Sequence, residues 1–550
     1  MSGSADTMFA RAEALLGDGE PAAADLLFGE VLRLAPHRAD AWHRRGVIAL
    51  AGGRPGDALA AFDAALRLDP WAAAPHAGRG DALAALDRTE AAVAAWRTAI
   101  RLDPQAVAPL VSLGAALARS YGRPAWEEAE QCCRRALALD AASVPALNAL
   151  GVALKEMWRL DEAAAALQAA LRRAPDHADV HTSLGDLQRR QDRLEAAAAS
   201  LAVALRLAPG DVAARISLAR VHMAAERFDA AEALLRGVLA DAPGSADAHV
   251  FLACLLLGDG RYGEGWEHYE WRTAGIGYTP DLPGPNWDGS DLAGRTLLVV
   301  SDEGFGDFIN FCRFIPVAAR QGRVAVQVPP LLLRLALRLK GVWQVVPRGA
   351  ALPAFDLHCS ATSLARACRA GTQPILADIP YLRGDPADAA EWRARLAELP
   401  GRKVGLVCAG NPDQYIDPVR SIPFSAFAPL GGIAGVSFVS LQKGARPDPG
   451  AGLPLQDWTA ELLDFADTAA LIENLDLVIA VDTAVAHLAG AVGRPVWLLN
   501  RWDGGTDPRW LRGRTDSPWY PTMRIFRQPA FGDWASVIDA VRTALAEAMS

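Results

Sequence analysis

The stretch TLLVVSDEGFGDFINFCRF, residues 296–314, joins an apolar run to a helical pattern through a turn with two glycines and an acid. The run TLLVV is short and bounded by turn-forming residues, so it predicts a buried strand. Open α/β sheets bind ligands beyond the carboxyl ends of their strands, where loops enter helices. We therefore expect the Gly304 and Gly306 turn to bend the chain sharply and to aim Asp307 into a ligand cleft. The alternatives are that the glycines form only a tight strand-to-helix turn, and that Asp307 caps the helix or pairs with an arginine.

Strands and helices alternate from this stretch to the end of the chain. Further strands are predicted at VAVQV (324–328), WQVVP (343–347) and FDLHCS (355–360), and a second series follows at KVGLVCAG (403–410), VSFVSLQKG (436–444), LDLVIAVD (475–482) and RPVWLLN (494–500). Such alternation predicts parallel sheets covered by helices on both faces. We expect two Rossmann-like halves, residues 295–400 and 401–550, facing one cleft.

The half of the chain before residue 276 is built from a repeat. Prolines recur at intervals of 34 residues at Pro36, Pro70 and Pro104, and again at Pro175, Pro209 and Pro243. Ala141 takes the place of the proline between the two series, after an insertion of three residues, and a small residue follows ten positions after each of these sites. A helix-turn-helix period of this length is the signature of tetratricopeptide repeats, which stack into an α-solenoid with a concave binding surface. Residues 1–275 are therefore predicted to bind a protein or peptide, or alternatively to support or dimerise the remainder. A Pro/Gly-rich linker is predicted at 276–294.

A phosphate site is predicted in the second series of strands. Asp482 to His487 follow one strand and open a helix of small residues, so the free N–H groups of its first turn suit a phosphate. His487 could add a hydrogen-bond donor, and Lys443, after another strand, a point positive charge. The alternatives are that Asp482 and Thr483 only cap the helix, and that His487 is a packed helix residue.

Composition excludes several classes of protein. The net charge of −9 argues against nonspecific binding of nucleic acid. No apolar run approaches the roughly 20 residues of a membrane span, and the first residues lack the pattern of a secretory signal. The seven cysteines lack metal-type spacing and a disulfide pattern. We expect a cytoplasmic protein with no metal site and no membrane or nucleic-acid partner.

Seven stretches also carry a family likeness. They are GWEHYEWR, EGFGDFINFCRF, VGLVCAGNP, RSIPFSAFAPL, FVSLQKG, DTAALIENLDLVIAVDTAVAHLAGAVGRPVWLL and DSPWYPTMRIFRQ, in order between about 265 and 528. This half of the chain resembles the tetratricopeptide-linked glycosyltransferases related to heptosyltransferases and, more distantly, to O-linked N-acetylglucosamine transferase. Together with the repeats it is similar to bacterial flagellin glycosyltransferases. The resemblance implies an α-solenoid followed by an α/β GT-B fold that transfers a sugar from a nucleotide-activated donor without a metal or other cofactor.

The resemblance also implies residue roles. The turn of Gly304, Phe305 and Gly306 would face the acceptor, with Asp307 as the general base. The donor-binding residues would be Lys443, Asp482, Thr483, Ala484, His487 and Arg420. The chain departs from the family pattern in NPDQYIDPVRS (411–421), where Gln414, Ile416 and Pro418 replace polar residues, and in DPRW (507–510).

These inferences predict a protein O-glycosyltransferase. A protein acceptor such as flagellin would lie in the repeat groove, and a sugar, on the family likeness a nonulosonic acid, would pass from a nucleotide donor to Ser or Thr. Two alternatives stay open: a binding scaffold whose transferase half has lost turnover, and a transferase that acts on a glycan or a lipid carbohydrate.

Overall fold

The structure, a computed structural model, describes residues 2–120, 122–273, 282–369, 379–414, 416–444, 452–502 and 507–549. The chain divides into two compact units, Met1–Pro209 and Gly210–Ser550. The predicted linker at 276–294 lies outside the described residues up to residue 281.

The first unit is a stack of helical hairpins. Its helices are α1 (Ser2–Gly17), α2 (Pro21–Leu34), α3 (Ala39–Ala51), α4 (Pro55–Leu68), α5 (Ala73–Ala84), α6 (Thr89–Leu102), α7 (Val107–Ala118), α8 (Arg123–Leu139), α9 (Val144–Glu156), α10 (Leu160–Arg173), α11 (Ala178–Arg190) and α12 (Leu194–Leu207). The small residues after each proline allow close packing within a hairpin: a Cβ at Gly46 would lie 2.6 Å from the ring of Phe62, and one at Gly151 would lie 2.6 Å from Leu167. The predicted solenoid is confirmed.

The second unit begins with two more hairpins of the same kind. They consist of α13 (Val212–Ala224), α14 (Phe228–Asp241), α15 (Ala246–Gly258) and α16 (Tyr262–Tyr269). Among the described residues the solenoid therefore has sixteen helices, and the last four share a compact unit with the α/β region.

The α/β region contains two parallel sheets. The strands are β1 (Thr296–Val300), β2 (Arg323–Val328), β3 (Val342–Pro347), β4 (Leu357–Ser360), β5 (Arg402–Val407), β6 (Val436–Ser440), β7 (Leu455–Gln456), β8 (Leu477–Val481), β9 (Val496–Asn500) and β10 (Met523–Arg527). One sheet has the order β3-β2-β1-β4 and the other β10-β9-β8-β5-β6-β7. The α-helices are α17 (Phe305–Phe311), α18 (Ile315–Ala318), α19 (Leu333–Ala336), α20 (Leu364–Ala367), α21 (Pro386–Ala397), α22 (Asp417–Arg420), α23 (Phe465–Ile472), α24 (Ala484–Ala491) and α25 (Trp534–Met549).

The predicted strands are all present, and they include the fully buried β1 and β8. The helical pattern after the first strand is present as α17, a 3₁₀ turn at Cys312–Phe314, and α18. The edge strands β7 and β10 lie outside the predicted strands; β7 has only two residues, and β10 is a short segment after a proline-containing loop.

The last solenoid helix is part of the α/β core. Trp266 is 5% exposed and its ring meets Phe311 and Trp519 edge-on, with centroids 5.7 and 6.3 Å away. Arg272, which is 3% exposed, pairs with Glu303 at 2.5 Å and donates to the hydroxyl oxygen of Ser363 at 2.9 Å. Helix α16 is therefore fixed to the turn that contains the candidate site.

A loop after β9 makes the matching contact from the second sheet. The N–H of Arg512 donates to the carbonyl oxygen of Gly258 at 3.1 Å, and its guanidinium lies 3.9 Å from the ring centroid of Phe228. Arg512 also pairs with Asp259. Helices α14 and α15 are thus held by the α/β region as well.

Two further findings concern the chain as a whole. Within the ranges that the structure describes, no helix is both long and apolar enough to cross a bilayer. The cysteines of these ranges are free thiols, and most of them are buried.

Candidate functional site

The carboxyl ends of two strands position the candidate site. The chain order of the strands reverses between β1 and β4 in the first sheet, and between β5 and β8 in the second. In open α/β sheets such switch points leave a crevice that binds ligands. Asp307 follows β1 and Asp482 follows β8, so the sequence-predicted residues lie at both crevices.

Helix α17 packs closely on α24, which brings the two crevices together. A Cβ at Gly306 would lie 3.0 Å from Cδ2 of His487 and 3.5 Å from Cα of Ala484. Neither Gly304 nor Gly306 has a positive φ, so the sharp turn does not depend on left-handed backbone. The reason for glycine differs from the expectation: Gly306 permits the close approach of the two helices, and a Cβ at Gly304 would lie only 3.0 Å from Oδ2 of Asp307.

Asp307 is bonded through both of its carboxylate oxygens. Oδ1 accepts from Nη1 of Arg509 at 2.7 Å, and Oδ2 accepts from the N–H of Gly304 at 3.1 Å. Its side chain is still 23% exposed, so the carboxylate borders an opening. Asp307 is therefore both an arginine partner and part of a helix start, and its role as a general base stays a prediction.

Arg509 links the two halves of the α/β region. Its Nε and Nη2 each lie 3.0 Å from a carboxylate oxygen of Asp507, while Nη1 contacts Asp307. Asp482 belongs to the same cluster, because it interacts with both Asp507 and Arg509. Two carboxyl groups thus contact one guanidinium, and a third, that of Asp482, lies beside Asp507.

Burial and the Arg509 guanidinium together set the pKa values of the three carboxyl groups. Burial raises the pKa of Asp307 to about 6, and Arg509 offsets this only in part because Asp507 already pairs with it. Burial, together with Asp507, also raises the pKa of Asp482 to about 6. Burial opposes ionisation of Asp507 as well, but its two bonds to Arg509 hold its pKa well below the usual range. The group with a pKa near neutrality that also reaches solvent is Asp307, which suits an acid or base.

The start of helix α24 differs from a simple capped helix. The Thr483 side chain makes no capping bond, and its Oγ1 has no hydrogen-bond partner among the described residues. The N–H groups of Ala486 and His487 donate to the carbonyl oxygen of Thr483, so the expectation that Ala486 has a free N–H was wrong: the first turn closes on itself. Within the described ranges, the N–H groups of Ala484 and Val485 have no partner.

Arg420 is brought to this helix start. Its Nη1 donates to the carbonyl oxygen of Asp482 at 3.3 Å, and its Nε donates to Asp417 at 3.1 Å. A Cβ at Gly410 would lie 2.2 Å from the guanidinium, so glycine is required after β5 for Arg420 to lie there. Since β5 and β8 are adjacent strands, Arg420 and Asp482 face the same crevice.

Two other predicted residues lie apart from the cluster. Nζ of Lys443 donates to the carbonyl oxygen of Thr459 at 3.1 Å, beyond β6 and away from the bonds described above. The ring of Phe305 meets Phe465 edge-on, with centroids 5.2 Å apart, so it joins the two halves by apolar packing. The structure therefore supports Arg420 beside Asp482 but gives Lys443 no contact with the start of α24 in the described ranges.

Several residues of the site carry little signal in the sequence. Asp507 and Arg509 belong to the DPRW stretch that departs from the family pattern. Three further residues of the site are buried and polar, and they are Asn310, Arg313 and Tyr520. Their signal is weak: Asn310 and Arg313 are polar residues inside the otherwise apolar run FINFCRF. Within the part of the chain that is described, no group of three or more His, Cys, Asp or Glu side chains has an arrangement able to hold a metal ion.

Comparison with known families matches both parts of the chain. Tetratricopeptide repeat models match residues 9–73, 148–212 and 188–253. The model of glycosyltransferase family 9 (heptosyltransferase) matches residues 460–503, which include the start of α24. The repeats agree with the described helices, and the second match supports a glycosyltransferase.

Individual proteins and solved structures match parts of the chain at low sequence identity. The protein FlbA of Caulobacter vibrioides is 31% identical over 325 residues, 53% of this chain and 54% of its own length, so the chain spans about half of that relative. Solved structures similar in the repeats include the APC/C hetero-tetramer Cut9-Hcn1, at 16% identity and a TM-score of 0.38, covering 50% of this chain and 54% of that chain. A tetratricopeptide repeat protein from Parabacteroides merdae has 16% identity and a TM-score of 0.36, and the match covers 43% of this chain and 93% of that chain. The chain thus combines tetratricopeptide repeats with a segment similar to glycosyltransferase family 9.

Proposed function

We propose that the α/β region is a GT-B glycosyltransferase that moves a sugar from a nucleotide-activated donor to Ser or Thr of a protein acceptor. The observation that carries this proposal is the meeting of two strand-end crevices. Asp307 at one crevice contacts Arg509, which in turn binds Asp507 beside Asp482 at the other. Two substrates bound at the two crevices would therefore have their reacting groups close together.

Asp307 is the proposed general base. The acceptor hydroxyl oxygen forms a bond to the anomeric carbon of the sugar, the bond from that carbon to the donor phosphate breaks, and the hydroxyl proton passes to the Asp307 carboxylate. A pKa of about 6 keeps this carboxylate ionised at neutral pH and basic enough to accept a proton. Base catalysis of this kind contributes a factor of roughly 10²–10⁴ in rate.

The leaving phosphate is proposed to bind at the start of helix α24. The unpartnered N–H groups of Ala484 and Val485 and the positive end of the helix dipole favour an anion there. Arg420 lies at the same point and supplies a full positive charge. Neither group needs a metal ion, so we propose metal-independent transfer; Lys443 would contribute only if its loop moved toward the donor.

The acceptor is proposed to be a protein held by the solenoid. Tetratricopeptide stacks form concave surfaces that bind extended segments. The likeness to flagellin glycosyltransferases makes flagellin the first acceptor to test and a nonulosonic acid the first sugar. The reaction would take place in the cytoplasm, where nucleotide-activated sugars are made.

The test is the intact mass of flagellin co-expressed with this protein in a host that makes the nucleotide sugar. An added sugar mass, absent without the protein and strongly reduced with Asp307→Asn, is the expected result. Unmodified flagellin in the presence of abundant donor would contradict the acceptor, and unmodified total protein and glycans in the same host would contradict the transferase.

A second candidate, a scaffold without turnover, is favoured by one observation. Each oxygen of the Asp307 carboxylate already accepts one hydrogen bond, from Arg509 or from the Gly304 N–H, so part of its capacity to accept a proton is used. Binding of flagellin to the full chain without any mass change would support the scaffold. Sugar transfer would exclude it.

A further inference from the structure

A chain of buried hydrogen bonds runs from α17 to the ring of His487. Arg313, Asn310, Tyr520 and His487 are each at most 3% exposed. Nη2 of Arg313 lies 2.9 Å from Oδ1 of Asn310, the Tyr520 hydroxyl lies 3.0 Å from the same oxygen, and Nδ1 of His487 lies 2.9 Å from the Tyr520 hydroxyl. These contacts fix the position of each proton.

The orientation of the Asn310 amide is set by Arg313. A guanidinium only donates hydrogen bonds, so the amide atom that faces it must be the oxygen. Arg313 itself cannot turn away, because its Nε donates to the Asn310 carbonyl oxygen and its Nη1 to the Trp519 carbonyl oxygen, both at 2.7 Å. Oδ1 of Asn310 therefore faces the Tyr520 hydroxyl as well.

The Tyr520 hydroxyl has a single proton and must give it to Asn310. If the proton pointed to His487 instead, two oxygens with no proton between them would face each other at 3.0 Å. The neighbouring Tyr381 hydroxyl does not solve this conflict, because it donates to the Ile309 carbonyl oxygen at 2.9 Å. With its proton on the Asn310 side, the Tyr520 oxygen accepts from His487.

His487 therefore keeps its ring proton on Nδ1. Burial and the nearby Arg509 hold the pKa of His487 well below its ordinary value, so the ring is neutral and carries a single N–H proton. Its Nε2 then presents a lone pair, and among the described residues this atom has no hydrogen-bond partner. Oδ1 of Asp482 lies 4.0 Å from Nε2, which is too far for a hydrogen bond.

A phosphate oxygen is the wrong partner for such an atom. It would place a negative charge against a lone pair and near the carboxyl group of Asp482. A hydroxyl group has a proton to donate and carries no charge, so it is the polar group that suits an unprotonated ring nitrogen.

We infer that Nε2 of His487 accepts a hydrogen bond from a hydroxyl of the donor's sugar or ribose, and that Tyr520 and Asn310 are positioning residues that keep it an acceptor. The inference rests on the proposed function for the identity of the ligand. The position of the proton follows from this chain's own bonds and can be tested without any transferase activity.

The direct test is the tautomer of His487 in the full chain labelled with ¹⁵N-histidine. The signals of His487 are assigned by their loss in His487→Gln. We expect two-bond ¹H–¹⁵N spectra to show a protonated Nδ1 and an unprotonated Nε2, retained in Tyr381→Phe and lost in Tyr520→Phe. Tyr381 is the matched control because its hydroxyl accepts from Nη2 of Arg313, the same atom that donates to Asn310, but lies outside the chain of bonds from Asn310 to His487. A protonated Nε2 in the wild-type chain, or an unchanged tautomer in a folded Tyr520→Phe, would overturn the inference.

A second measurement uses inorganic pyrophosphate as the probe. Wild type and His487→Gln are titrated with pyrophosphate by calorimetry in two buffers of different ionisation enthalpy, which reveals any proton uptake. We expect the two proteins to bind pyrophosphate with affinities equal within about twofold and without proton uptake, or neither of them to bind it. Binding at least tenfold weaker to the variant, with uptake of one proton by the wild type, would show that phosphate reaches Nε2 and would overturn the assignment. A chain that transfers no sugar would leave both results unaffected.

Discussion

Replacing Asp307 by Asn is the sharpest single perturbation of the proposed site. Asp307 uses one oxygen for Arg509 and the other for the Gly304 N–H. An amide of the same shape keeps one acceptor and places an NH₂ group at the other position. The variant therefore loses one hydrogen bond and one negative charge without losing volume.

The cost in stability should be small. A lost hydrogen bond of this kind is worth about 0.5–1.5 kcal/mol, and a partly exposed ion pair about 1 kcal/mol or less. Arg509 stays bonded to Asp507 at two positions, so the penalty of about 3–5 kcal/mol for an abandoned buried charge does not apply. The raised pKa of Asp307 means that folding disfavours its ionised form, so the amide also removes a destabilising charge. We expect a net change of at most about 1 kcal/mol in the free energy of unfolding, in either direction, while a missing general base should lower the transfer rate by at least about a hundredfold.

A matched control separates the two effects. Asp385 also accepts from a helix-start N–H, that of Ala387 at 2.9 Å, and from an arginine, Arg338 at 3.0 Å, but it lies outside the cluster. Thermal unfolding should show similar small shifts for Asp307→Asn and Asp385→Asn, and only the first should stop sugar transfer at saturating donor and acceptor. A folded Asp307→Asn protein that transfers at the native rate would refute the base assignment.

Three further outcomes are expected. Sugar transfer should fall as the pH is lowered through about 6, because Asp307 must be ionised to accept a proton. The free energy of unfolding should rise over the same change in pH. The pKa of Asp307 is about 6 in the folded chain and 3.8 in the unfolded chain, so protonation between about pH 6 and 4 favours the folded state. Gly306→Ala should cost about 1–3 kcal/mol of unfolding free energy through overpacking against α24, whereas Gly432→Ala, whose Cβ meets nothing within 4 Å, should stay within about 0.5 kcal/mol in the same unfolding assay. Arg272→Met should cost about 2–4 kcal/mol because it removes the hydrogen bonds of a buried guanidinium to Glu303 and Ser363, and an unfolding midpoint equal to that of wild type would contradict this.

The sequence was sufficient for the fold because its signals are local and repeated. The proline interval recurs along the solenoid, and each buried strand lies between turn-forming residues, so neighbouring segments decide each element. The same local logic placed Asp307 and Asp482 after strands, and therefore at the carboxyl edges of their sheets.

The contacts that define the site could not be predicted in this way. Asp307 and Arg509 are 202 residues apart in the chain, and Asn310 and Tyr520 are 210 apart. Their pairing depends on how the two sheets pack, for which a single sequence carries no periodic signal. Gly306 shows the limit well: the residue type was noticed, but its reason, contact with a helix of the other half, was visible only in three dimensions.

The attachment of α16 and Arg512 to the α/β region determines where this chain can be cut and rejoined. A chimera that exchanges repeats at the Pro/Gly-rich segment after residue 273 would inherit foreign side chains in place of Trp266 and Arg272, and would leave Trp519 and Glu303 without their partners. An exchange between α12 and α13 keeps these contacts, because it follows the boundary of the compact units. If the solenoid binds the acceptor as proposed, acceptor specificity should be exchanged with helices α1–α12, whereas α13–α16 must stay with the α/β region.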